Sequence, residues 1–143
     1  MKTTVLIISL FLLTIASFAQ DNWQLIRSEN GIEIYYKNQM CDPEAGFDQE
    51  KVLLKVVNTT ADSKTIDWDI HMWYNGVCKT CDVETGEYHK TLSLGANEEQ
   101  QGGCSIYSNF DLCVFAQFTD VNYTGNKQVL TKFELANFRV LDQ

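Results

Sequence analysis

The sequence predicts an all-β fold, an antiparallel sandwich of about seven to eight short strands. Apolar and polar residues alternate with period two along most of the chain beyond residue 22. Turn-forming clusters, Asn-Gly among them, break that alternation at regular intervals. No stretch in the same region carries a defensible helical repeat.

Ahead of the alternating part stands a different kind of segment. Lys2 gives a positive start, and Val5 to Ile15 is apolar apart from Ser9 and Thr14. Ala16-Ser17-Phe18-Ala19 then puts small residues on either side of a bulky one. This is the three-part pattern of a cleaved secretory signal peptide covering residues 1–19. The apolar run is shorter than the ~20 residues that a bilayer-spanning helix needs. No later run matches it, so membrane insertion is not expected, and no cysteine follows the cut to take a lipid. Residues 20–143 are expected to form one domain.

Within that domain, Trp23 to Arg27 and Ile32 to Lys37 read as strands joined by Ser28-Glu29-Asn30-Gly31, a hairpin signal because Asn and Gly tolerate positive φ. A polar loop is expected from Asn38 to Gln49, holding Cys41 and Pro43. Val52 to Val57 is rich in β-formers, and Asn58 to Lys64 reads as a turn. The clearest strand follows: Ile66, Trp68, Ile70, Met72 and Tyr74 share the inward face, and Asp67, Asp69, His71 and Trp73 the outward one. Asn75-Gly76 closes it.

Tyr88 to Leu94 is a strand with Leu92 and Leu94 inward, and Gly95 to Gly103 is a polar loop. Cys104 to Asn109 and Leu112 to Thr119 read as two further strands, the second with Leu112, Val114, Ala116 and Phe118 on one face. Asp120 to Asn126 turns into a last strand from Val129 to Leu141, with Val129, Thr131, Phe133 and Leu135 in phase. The phase slips at Ala136-Asn137, which predicts a bulge.

Charge and cysteines narrow the setting. The chain carries a net charge of −8, and −9 once Lys2 leaves with the signal. Such a surface disfavours nucleic acid and anionic lipid as partners. Five cysteines in an exported chain predict disulfides, with one thiol left over. Cys41, Cys78, Cys81 and Cys104 are the bridge candidates and Cys113 the free thiol. The spacing does not fix which pairs form.

Thr65-Ile66-Asp67-Trp68-Asp69-Ile70 resembles the central strand of immunoglobulin-like and fibronectin-type sandwiches, where an inward Trp anchors the core. Lys51 to Thr60 and Phe133 to Phe138 resemble an early and a closing strand of the same folds. In strand rhythm, residues 22–142 look like a small exported bacterial sandwich protein without known activity. The cysteines do not flank the Trp at the antibody spacing, so the antibody inter-sheet bridge is not carried over. Trp23 to Tyr35 is also similar to the entry hairpin of START-type lipid carriers, whose long helices have no counterpart here.

Few residues suggest chemistry. Cys78-Lys79-Thr80-Cys81 has the spacing of a redox dithiol, but such motifs sit at a helix N-terminus, and a structural disulfide is the expected use. Cys78, Cys81, Cys104 and His89 would make a Cys₃His zinc set if reduced. Asp67, Asp69 and His71 alternate on one face and are metal-ligand candidates, although a solvated outer face has the same pattern. Trp73 with Tyr35 or Tyr36 is a candidate contact surface for sugar or peptide. Asn58-Thr59-Thr60 and Asn122-Tyr123-Thr124 fit the N-glycosylation pattern. No nucleophile elbow or phosphate-binding glycine loop is present, and no catalytic or cofactor residues are assigned. The expectation is a non-enzymatic binding or assembly module of the periplasm, cell envelope or medium, with an unknown protein or glycan partner and unknown oligomeric state. The alternatives are a metal- or thiol-dependent protein using Cys78/Cys81, and a START-like lipid or glycan carrier.

Overall fold

A computed structural model describes residues 22–42, 46–83 and 85–142. The signal-peptide reading of residues 1–19 and the loop proline Pro43 lie outside the described residues. Among the described residues nine strands follow in chain order: β1 (Gln24–Glu29), β2 (Ile32–Cys41), β3 (Gln49–Asn58), β4 (Lys64–Tyr74), β5 (Val77–Cys78), β6 (His89–Leu94), β7 (Glu99–Gln101), β8 (Cys113–Phe118) and β9 (Leu130–Asp142). A 3₁₀ turn, Phe110–Leu112, precedes β8. All pairings are antiparallel. One sheet runs β1-β2-β3, with β7 and β8 sharing the far edge of β3; in the other, β4 is central, with β5 and β6 on one edge and β9 on the other.

The alternation explains this arrangement. Ile32, Ile34, Val52, Leu54, Val56 and Val114 of the first sheet meet Ile66, Trp68, Ile70, Leu92, Leu94 and Leu135 of the second in one core. Each such aliphatic side chain contributes about 1.5–3 kcal/mol of burial. Trp68 is 1% exposed and is the largest buried side chain. Its indole N–H lies in this apolar layer without a hydrogen-bond partner among the described residues. The β1–β2 hairpin turns on Asn30 (φ 49°) and Gly31 (φ 79°), both in the left-handed region. A Cβ on Gly31 would overlap Thr60 Cγ2. Its carbonyl accepts the Thr59 N–H at 2.8 Å, which ties the hairpin to the turn after β3.

That turn is organised by a polar side chain inside the fold. Asn58 is fully buried, and its amide nitrogen donates to the Asp62 and Gly95 carbonyls, both at 2.8 Å. Its oxygen accepts from the Thr60 N–H and hydroxyl. With its amide committed in this way, Asn58 offers no site for a glycan in the folded chain, whereas Asn122 is exposed.

Several expectations need correction. Asn38 to Cys41 belongs to β2, which pairs with β3 as far as Cys41 opposite Gln49; pairing to β3 outweighs the polar composition. The loop from Gly95 to Gly103 contains β7, held by three residues of β3, and a two-residue β5 follows Asn75-Gly76. Cys104 to Asn109 is not a strand: the chain turns at Ile106-Tyr107, where the Ser108 N–H donates to the Ser105 carbonyl at 3.0 Å. In β8 the register slips at Ala116, so Phe118 leaves the face of Val114 and joins Phe115, Phe47 and Tyr123 in an aromatic cluster. In β9 a slip beside Trp73 and Tyr74 makes Leu130, not Val129 and Thr131, the inward residue. The bulge expected at Ala136-Asn137 is present: Asp67 faces Arg139 and Asp69 faces Ala136, and Asn137 has φ 50°.

Candidate functional site

The outward face of β4 carries Asp67, Asp69, His71 and Trp73, as alternation requires. Their neighbours decide what they can do. Arg139 donates from Nε and Nη2 to the two oxygens of Asp67, at 3.0 and 2.8 Å, a forked pairing well matched to a carboxylate. Asp69 accepts from Asn137 Nδ2 at 2.7 Å and lies 2.8 Å from His89 Nδ1. The β9 bulge is what aims Asn137 at Asp69. These partners, Asn137 first and His89 second, hold the Asp69 carboxyl below its ordinary value. The two carboxylates are therefore committed to cross-strand donors. Among the described residues, no group of three or more His, Cys, Asp or Glu is placed to hold a metal ion.

Beside this row lies an open cleft of about 350 Å³ lined by Asp69, His71, Thr80, Cys81, Tyr88 and His89, among others. It gathers residues singled out separately in the sequence: both histidines, one aspartate and the second cysteine of the Cys78/Cys81 pair. Cys78 and Cys81 are bonded to each other, with Cα atoms 5.8 Å apart, and Cys41 is bonded to Cys104, at 5.4 Å. The Cys₃His zinc set therefore has no thiol left in this state. Cys113 is free. It is half-buried, and its Sγ–H faces the Gly103 and Asn109 carbonyls, each at 3.4 Å. Burial pushes its thiol pKa up, which keeps it protonated and slow to react.

Trp73, Tyr35 and Tyr36 occupy three separate surfaces. Trp73 is outside the second sheet, with Lys132 Nζ 4.2 Å from its ring centroid. Tyr35 is outside the first sheet, where Lys55 Nζ lies 5.0 Å from both its ring and that of Trp23. Tyr36 points into the seam between the sheets, edge-on to Phe133 at 5.8 Å, and its hydroxyl donates to Gln24 Oε1. The seam opens there as a cleft of about 440 Å³ with Arg27, Lys132 and Glu134 on its rim.

Three exposed apolar side chains lie in and just beyond the segment Cys104 to Asn109. Ile106 is 72% exposed, Tyr107 91% and Phe110 59%. They ride on a loop with a fixed backbone. Cys104 ties one end to β2, and fully buried Leu112 anchors the other. Between them Ser108 N–H donates to the Ser105 carbonyl, Tyr107 N–H to Ser105 Oγ and Asp111 N–H to Asn109 Oδ1. Asp111 is paired with Lys90 of β6 at 2.9 Å. A Cβ on Gly102 would collide with the Leu112 carbonyl, so the two ends of the loop close only over glycine. The signal that could have found this knuckle is the density of Gly, Ser and Asn around three large apolar residues.

Comparison of the chain with protein-family models, with curated proteins and with solved structures gives no match. Among the described residues no helix is long and apolar enough to cross a membrane. The two disulfides fit an oxidising compartment.

Proposed function

We propose that this chain is a non-enzymatic binding module with an immunoglobulin-like sandwich, exported by its signal peptide to the periplasm, envelope or medium. It holds a protein partner through the knuckle at residues 104–112. One observation carries this reading: Ile106, Tyr107 and Phe110 are held in water on a backbone fixed by a disulfide and local hydrogen bonds. Large apolar side chains exposed together mark contact surfaces. A pre-ordered loop also loses little entropy when a partner closes over it. Aromatic anchors of this kind commonly contribute 2 kcal/mol or more at interfaces, about thirtyfold in affinity. A protein is favoured over a glycan because Ile106 and Phe110 offer apolar bulk, while Ser105 and Asn109 beside them accept N–H groups of the loop and Asp111 is paired with Lys90.

The test is site-specific photo-crosslinking in the producing cells. A photoreactive side chain at position 107 is expected to capture one discrete partner. The same group at Leu141, in β9, is expected to capture none. Replacing Ile106 and Phe110 with Ser should abolish the adduct while leaving the melting temperature unchanged. Equal labelling from both positions, or an adduct insensitive to those substitutions, would refute the proposal.

A further inference from the structure

The second cysteine pair has features that a merely structural bridge does not need. Cys78 ends β5, and the chain turns back at once to Cys81. The Cys81 N–H points at Cys78 Sγ, 3.1 Å away. A peptide donor aimed at sulfur stabilises the thiolate over the disulfide-bonded or protonated atom. The turn is also fastened to β4 without help from the bridge. Thr80, only 4% exposed, donates its hydroxyl to the Ile70 carbonyl and accepts the Met72 N–H, both at 2.9 Å. Lys79 N–H donates to the Met72 carbonyl at 2.8 Å. Opening the bridge therefore leaves the turn, and the N–H aimed at Cys78, in place. Cys81 in turn lines the open cleft that holds His71 and His89, so a partner's sulfur can approach it from solvent.

We propose that Cys78–Cys81 is an exchangeable disulfide that accepts two electrons from a dithiol presented by an exported protein. A thiolate of the partner attacks Cys81 Sγ from the cleft. A bond forms between the partner's sulfur and Cys81 as the Cys81–Cys78 bond breaks, and the electron pair leaves on Cys78, where the Cys81 N–H receives it. The partner's second thiolate then attacks its own sulfur in this mixed disulfide and expels Cys81. The partner ends as a disulfide and the chain as a dithiol; the two protons lost by the partner's thiols end on Cys78 and Cys81. The exchange is stoichiometric and stands independently of the knuckle at residues 104–112.

The experiment follows reaction of the oxidised, exported chain with reduced glutathione, quenched in acid and resolved by peptide mapping. The reference is the oxidised six-residue peptide of residues 77–82, which has the same bridge without β4. The native bridge is expected to open several-fold faster than the peptide's, with glutathione on Cys81, the thiol on Cys78, and Cys41–Cys104 intact. Thr80→Ala, which releases the turn from β4, should bring the rate down to that of the peptide with far-ultraviolet dichroism unchanged. A native rate no faster than the peptide's, or glutathione found on Cys78, overturns the proposal. That comparison holds even if the Thr80 variant does not fold.

Discussion

Removing the two disulfides one at a time should reveal a large asymmetry in their contribution to stability. Cys41–Cys104 spans a sequence separation of 63, and Cys78–Cys81 a separation of 3. If a bridge acts by restricting the unfolded chain, the first removes about 4.3 kcal/mol of unfolded-state entropy at 25 °C and the second about 1.6. The double variants Cys41→Ala/Cys104→Ala and Cys78→Ala/Cys81→Ala should therefore differ by about 2.7 kcal/mol. The side-chain term runs the same way: Cys41 is the buried member of the four, and losing its sulfur adds up to about 1 kcal/mol to the first variant. The assay is equilibrium urea unfolding followed by tryptophan fluorescence and far-ultraviolet dichroism, in a Cys113→Ser background that prevents reshuffling. Coincident transitions license the two-state comparison. Equal losses, or a larger loss for the short bridge, would refute the chain-entropy argument here. The second outcome would also show that Cys78–Cys81 holds the edge of β4 more firmly than Thr80 does.

Three further outcomes are expected. Trp68→Ala should cost roughly 3–5 kcal/mol in the same urea assay, because the side chain fills the centre of the core; a loss below about 1 kcal/mol would mean that β4 presents its other face inward. Asn58→Ala should cost about 3 kcal/mol, since it removes a fully buried amide that donates to the Asp62 and Gly95 carbonyls and accepts from the Thr60 N–H and hydroxyl, and a neutral result would show that water replaces it in this turn. The Asp69 carboxyl is held below its ordinary value of 3.8, so its contribution is present above that value and is lost as pH falls through the lower folded one. Wild type should therefore be more stable than Asp69→Asn at pH 6, with the gap closing below about pH 4 in thermal melts. A gap that widens in acid would contradict this.

Much of the fold was legible because its signal is local. Successive side chains on a strand point to opposite faces, so the row from Ile66 to Tyr74 declared both its state and its inward face before any partner was known. The Asn30-Gly31 and Asn75-Gly76 turns were equally readable, because left-handed φ is a property of the residues that adopt it. Legibility ended where pairing partners override local composition. Asn38 to Cys41 looked like a loop and became strand by pairing with β3, and Glu99–Gln101 did likewise. Cys104 to Asn109 has strand-like composition and lies in turns, because Cys104 is tied to β2 and Leu112 is drawn into the core.

The candidate sites show the same division more sharply. The all-β class and the central tryptophan strand can be read from residues within a few positions of one another, and the acidic balance and the odd thiol count from composition alone. Which cysteines pair and what Asp67 and Asp69 bind follow from packing alone. Their partners Arg139 and Asn137 lie 72 and 68 residues further along the chain. Packing also separated Trp73, Tyr35 and Tyr36 onto three surfaces and brought His71, His89 and Cys81 into one cleft. Pattern fixes which way a side chain points. What it then meets depends on how two sheets, joined through distant stretches of the chain, are packed face to face.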